Sequence, residues 1–135
     1  MLCDFAQVSE GKLTIVGGGW NELRRVDAPM SLAALLHLPW QERPRDHSIV
    51  IDLLDADGRA VVDQNSGSPV RVEANLSVAG GDRRADRVGV SVPVPFACMF
   101  APLGLMNGNR YVWRLTIDGE TSEEWQAAFL VDESA

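Results

Sequence analysis

The groups of this 135-residue chain most able to do chemistry are two histidines, two cysteines and a scatter of acids. His37 and His47 flank the loop Leu38–Asp46, which also carries Glu42 and Asp46. Paired strands would bring the two imidazoles together with those carboxylates into a small-molecule or hydrolytic pocket. No H-x-x-x-H or H-E-x-x-H spacing exists, so the plainer reading is one strand-end and one loop histidine. His37, His47, Glu42 and Asp46 are therefore the alternative pocket, and no residue is assigned as catalytic, cofactor-binding or metal-ligating.

Other constellations fail on their context. Gly17-Gly18-Gly19 is followed by Trp20-Asn21-Glu22-Leu23, without the Lys-Ser/Thr and helix of a phosphate loop. It reads as a bulge or sharp bend that needs positive φ. Asp55, Asp57 and Gly58 open like a calcium loop, but the twelfth position is Ser66, so the segment reads as a turn. With Asp52 they outline at most a weak cation site. Ser66 and Ser91 have no histidine at a nucleophile-motif spacing. Glu123 and Glu124 are adjacent and point to opposite sides of a strand, unlike a glycosidase pair. Cys3 and Cys98 form no C-x-x-C and sit among apolar residues, as buried reduced thiols do. No cofactor is expected.

Composition narrows the class. With 46% apolar and 23% charged residues the chain is a globular domain, and one domain is expected over residues 1–135. A chain of this size buries about two-thirds of its unfolded surface and folds without disulfides or metal. A net charge of −7 repels phosphate backbones, so neither nucleic acid nor an anionic membrane is an expected partner. No apolar run reaches the length of a membrane span, and the N-terminus has Asp4 and Glu10 where a signal peptide has basic residues. A cytoplasmic protein is expected. Eleven arginines against the single Lys12 point to a bacterial genome of high GC content.

The elements that must position these groups repeat with period two. Val70, Val72, Ala74, Leu76 and Val78 alternate with polar residues, as do Tyr111, Trp113, Leu115 and Ile117. Val88 to Phe96 alternates too, but Pro93 and Pro95 cannot donate to a ladder, so this strand is an edge or ends there. Met30 to Leu38 is apolar at both parities and reads as a central strand. Further strands are expected over Leu2–Val8, Lys12–Val16, Trp20–Val26, Ser48–Leu54, Arg59–Asp63 and Trp125–Val131, with turns at Ser9–Gly11, Asp55–Gly58 and Asp118-Gly119. Phe96 to Leu105 is expected as a short helical turn or an irregular crossover. The fold class is all-β: an antiparallel two-sheet sandwich of eight to ten strands, immunoglobulin-like or jelly-roll-like.

The aromatic residues divide between core and loops. Trp113 and Trp125 lie on strands joined by one turn and are expected to pair as core. Trp20 and Trp40 are loop residues, either plugs over the end of the sandwich or anchors for a partner. Phe96 to Met106 runs without a charge, and such apolar stretches are normally kept from the surface. Trp40, Phe96, Met99, Phe100, Leu105 and Met106 are the candidate partner contacts.

Four segments carry a resemblance: Leu2-Cys3-Asp4-Phe5-Ala6, Glu10-Gly11-Lys12-Leu13 through Gly19, Ile51-Asp52-Leu53-Leu54-Asp55 through Arg59, and Gly108-Asn109-Arg110-Tyr111 through Glu120. Together they are similar to an uncharacterised bacterial family of short all-β proteins, over nearly the whole chain. The resemblance implies no activity, cofactor or catalytic residue. Gly108-Asn109-Arg110-Tyr111 also resembles the closing hairpin of immunoglobulin-like sandwiches. The expectation is a non-enzymatic protein-binding or assembly module, pairing as a homodimer through a sheet face or edge, engaging another protein through its end loops, or both.

Overall fold

The computed structural model describes residues 1–38, 45–78 and 91–135. Nine strands organise them: β1 (Leu2–Ser9), β2 (Lys12–Gly18), β3 (Glu22–Leu23), β4 (Met30–Leu38), β5 (Arg45–Asp55), β6 (Arg71–Val78), β7 (Val92–Phe100), β8 (Arg110–Ile117) and β9 (Glu120–Val131). They form a four-stranded sheet, β2-β1-β4-β7, and a five-stranded sheet, β3-β9-β8-β5-β6. All pairings are antiparallel except β3 with β9, which is parallel. The chain is an all-β two-sheet sandwich.

The strand order is that of the immunoglobulin-like alternative. β1, β4 and β7 stand in one sheet, and β9, β8, β5 and β6 in the other, the arrangement of strands A-B-E against G-F-C-C′. A side-chain detail agrees. The Tyr111 hydroxyl, near the start of β8, accepts the Met106 N–H at 3.1 Å, as the tyrosine of that fold's corner bonds upstream backbone. Two residues on, where antibody domains carry a disulfide cysteine, this chain has Trp113. The indole is 2% exposed and stacks on Phe100 of the opposite sheet, with ring centroids 4.3 Å apart. Stacked aromatic area thus joins the two sheets where a disulfide joins them elsewhere.

Alternation decides which side chains reach that core. Met30, Leu32, Leu36 and Leu38 of β4 meet Ile49, Ile51 and Leu53 of β5 and Trp113 of β8. Tight turns fix the registers. Glu10-Gly11 and Asp118-Gly119 have φ of 51°, 70°, 51° and 80°, the two positive values of the hairpin turn that suits strand twist. Asp55 Oδ1 accepts the N–H groups of Asp57 and Arg59, each at 2.9 Å, which closes the Asp55–Gly58 turn.

Several expectations are corrected. The Trp20–Val26 run supplies only β3. Its N–H and C=O groups find a partner on the edge of β9 for two residues before the chain leaves. Arg59–Asp63 is no strand: Ala60 and Val62 make isolated bridges with Leu54 and Pro69. Phe96 to Phe100 is neither helical nor irregular but completes β7, because Val94, Phe96 and Cys98 keep the inward parity up to Phe100. Trp113 opposes Ala127, not Trp125, and a β-bulge between Arg114 and Thr116 shifts the register so that Trp125 is exposed. The last strand begins at Glu120 rather than Trp125.

The prolines of β7 follow from its position. Ala33 of β4 exchanges backbone bonds with Met1, so the odd-numbered residues of β4 bond toward β1 and the even ones toward β7. The even residues of β7 answer them. Pro93 and Pro95 are odd, so the N–H each lacks would have pointed to the outer edge of the sheet.

Candidate functional site

The two histidines stand in different sheets. His37 is exposed on β4, and its Nδ1 lies 3.3 Å from Ser91 Oγ. His47 is buried on β5, and its Nδ1 lies 2.7 Å from Asp118 Oδ2. Asp46 is turned the other way and accepts the Ser77 hydroxyl at 2.6 Å. Glu42 and Trp40 lie outside the described residues, as do Val88 and Val90. Among the described residues, no carboxylate bonds to His37, so Ser91 and His37 lack the orienting acid of a nucleophilic triad. His47 has an acid partner, but that acid also accepts the Ser48 N–H at 2.9 Å and closes a turn. The arrangement ties β5 to the β8–β9 hairpin.

Two of the acids outlined as a cation site, Asp52 and Asp55, are spent on other bonds. Asp52 sits between Arg71 of β6 at 3.4 Å and Arg114 of β8 at 3.3 Å, each directly opposite it in register. Asp55 caps its own turn. Among the described residues, no group of three His, Cys, Asp or Glu side chains is placed to hold a metal ion. Cys3 is buried and Cys98 half-buried, and burial pushes both thiols up, away from the reactive thiolate. The Gly17–Gly19 segment is the bend expected of it: Gly17 and Gly19 have φ of 61° and 89°, and a Cβ on Gly17 would overlap the Asp4 carboxylate.

The apolar stretch divides between core and surface. Phe100 and Leu105 are buried, and Phe96 is half-buried on the inward side of β7. Met99 and Met106 are exposed. Trp20 is half-buried and packs edge-on against Phe129 at 6.3 Å, as a plug does.

Met99 belongs to a larger surface, the outer face of the four-stranded sheet. β4 contributes Ser31, Ala33, Leu35 and His37 to it, and β7 contributes Pro93, Pro95, Ala97 and Met99. Neither strand places an Asp, Glu, Lys or Arg there. Leu35 is 50% and Met99 57% exposed, whereas Ser31 and Ala33 between them are 0% and 3% exposed. The surface continues along the sheet through Cys3 to Phe5, which is exposed and directly opposite exposed Val16. Beyond Cys3 the ladder with β4 ends, and β1 and β2 continue as a two-stranded ribbon.

The sequence signals such a face through β4 without saying which side of the strand it lies on. Met30–Leu38 is apolar at both parities, which by itself implies burial on both sides. Only the even side reaches the core.

The outer face of the five-stranded sheet is its opposite in character. There Asp46 pairs across strands with Ser77, and Asp52 with Arg71 and Arg114, while Arg71 also bonds Glu73 two residues along β6. A solvated surface of this kind costs nothing to leave bare.

The profile of the Family of unknown function (DUF6941) matches residues 1–129. No curated protein is significantly similar to the chain.

Proposed function

The chain belongs to that family of unknown function, and we propose that it is a non-enzymatic protein-binding module that docks through the outer face of its four-stranded sheet. One observation carries the reading: β4 and β7 expose Leu35 and Met99 and bring no Asp, Glu, Lys or Arg to the outer face, in a protein with 31 charged residues of 135. Keeping a sheet face free of charge forgoes solubility there, and such patches mark contact surfaces. Methionine and leucine on a strand pair suit an adaptable apolar contact. Phe96, Phe100 and Leu105 then serve the module by holding β7 against the core, and Met99 is the member of that stretch that meets the partner.

The pocket reading draws less support, since His37 and His47 bond to different partners in different sheets. We place the module in the cytoplasm, where its two free thiols keep their reduced form. Among the described residues, no helix is long and apolar enough to cross a membrane.

A tagged pull-down with quantitative mass spectrometry tests the docking face. The wild-type chain is expected to retain a protein at stoichiometric level that Leu35→Glu and Met99→Glu fail to retain. Retention unchanged by both substitutions rejects this face as the docking site.

A further inference from the structure

We propose that Asn107-Gly108 is a latent deamidation site, that the docked segment 132–135 holds it unreactive, and that its conversion releases that segment irreversibly. This goes beyond the docking face, and neither reading depends on the other.

The pair is demanded by the turn it occupies. Of the five asparagines, Asn21, Asn65, Asn75, Asn107 and Asn109, only Asn107 precedes a glycine. Gly108 has φ of 74°, a conformation that side chains rarely adopt, so the approach to β8 requires glycine there. Glycine also leaves its own nitrogen the least hindered of any residue. In deamidation that nitrogen attacks Asn107 Cγ, and the new C–N bond closes a succinimide ring. The bond from Cγ to Nδ2 breaks, and the side-chain nitrogen leaves as ammonia with the proton that the Gly108 nitrogen gives up. Water then opens the ring at either carbonyl, which leaves aspartate or isoaspartate.

The fold occupies both nitrogens of that reaction. The Gly108 N–H donates to Val131 O at 2.8 Å, so the attacking atom is committed to β9. Asn107 Nδ2, the leaving group, donates to Ala135 O at 2.8 Å and to Glu133 O at 3.3 Å. Segment 132–135 is itself pinned. The Asp132 N–H donates to Leu23 O at 3.0 Å, Asp132 Oδ1 accepts the N–H and the hydroxyl of Ser134 at 2.8 Å each, and Ala135 packs against the core. A segment that follows a last strand frays unless it is tied down, and the Asn107 amide is one of its ties.

Conversion is one-way because of what replaces the amide. A carboxylate has no N–H to give and would face the two carbonyl oxygens that the amide now serves. Isoaspartate also adds a methylene to the main chain and so moves the Gly108 nitrogen away from Val131 O.

Peptide mass spectrometry of the full chain, aged in mildly alkaline buffer, tests the protection. Asn107 is expected to convert at least about tenfold more slowly in the native chain than in the same buffer with urea, because reaction waits on local opening. Asp132→Ala unpins the segment without touching the pair, and should raise the native rate while the rate in urea stays unchanged. Backbone order parameters from NMR relaxation test the release. Residues 133–135 are expected near the rigid value of about 0.85 in the wild type and below about 0.6 in Asn107→Asp, which is one product of conversion. Leu53 and Trp113 should stay rigid in every variant, which shows that the sandwich is intact. A native rate equal to the rate in urea, or an Asp132→Ala rate equal to wild type, overturns the protection by this segment. Residues 133–135 mobile in the wild type, or still rigid in Asn107→Asp, overturn the release.

Discussion

The carboxylate of Asp118 holds two adjacent residues of β5: one oxygen lies 2.7 Å from Nδ1 of buried His47, and the other accepts the N–H of Ser48 at 2.9 Å. Asp118 is also the first residue of the β8–β9 turn, with φ of 51°. One side chain therefore locks the turn that closes the last hairpin onto the start of β5.

That lock has a pH signature. The His47 bond, and then the Ser48 N–H, hold the Asp118 carboxyl below its ordinary value of 3.8. A carboxyl depressed by folding stabilises the native state fully above its unfolded value, and that contribution disappears as the pH falls through the lower native value. Urea unfolding at a series of pH values should show wild-type stability falling from about pH 5 downward. Asp118→Asn keeps an acceptor and tolerates the left-handed turn, so it should flatten that acid limb. A limb of unchanged slope would show that other carboxylates set it.

Phe100 and Met99 are sequence neighbours with opposite duties. Phe100→Ala removes the ring stacked on Trp113 and is expected to cost about 3 to 5 kcal/mol in equilibrium unfolding. Met99→Ala removes an exposed side chain and should stay within about 0.5 kcal/mol. Trp113→Ala should match Phe100→Ala, and the double mutant should fall short of the sum, since both vacate one contact.

Asp52 joins three strands through Arg71 and Arg114. It is nearly buried while both arginines are partly exposed. Removing it with Asp52→Ala is expected to cost about 1 to 2 kcal/mol, between an exposed pair and a buried one. A double-mutant cycle with Arg71→Ala measures the β5–β6 share. A coupling of zero would leave Arg114 as the partner that matters.

Tyr111→Phe tests the corner that fixes the approach to β8. It deletes the acceptor of the Met106 N–H and nothing else. The expected loss is about 1 kcal/mol by urea unfolding, with hydrogen exchange at Met106 accelerated in the native state. Unchanged exchange would show that the corner is held by packing alone.

The sequence by itself determined the class of the fold and most of its strands. Period-two alternation at Tyr111 to Ile117 and Arg71 to Val78 leaves a strand little choice, because any other conformation mixes the two faces. The turns were as legible: Glu10-Gly11 and Asp118-Gly119 hold positive φ, and the surrounding residues announce them. Pro93 and Pro95 limited their strand to an edge or an early end because a missing N–H cannot serve a ladder, and the edge is what β7 occupies. Tertiary structure decided what no local pattern encodes. Trp125 looks like core until the bulge in β9 turns it to solvent, and Phe100 looks like a surface anchor until Trp113 stacks on it from another sheet. His37 and His47 flank one loop in sequence, yet they stand in different sheets because the chain crosses from one to the other between β4 and β5. The outer face of β4 and β7 depended on the same step. Ala33 and Leu35 are as apolar as a core strand demands, and only the placement of β4 and β7 over the second sheet decided that the even side of β4 faces the core while Leu35 is left exposed.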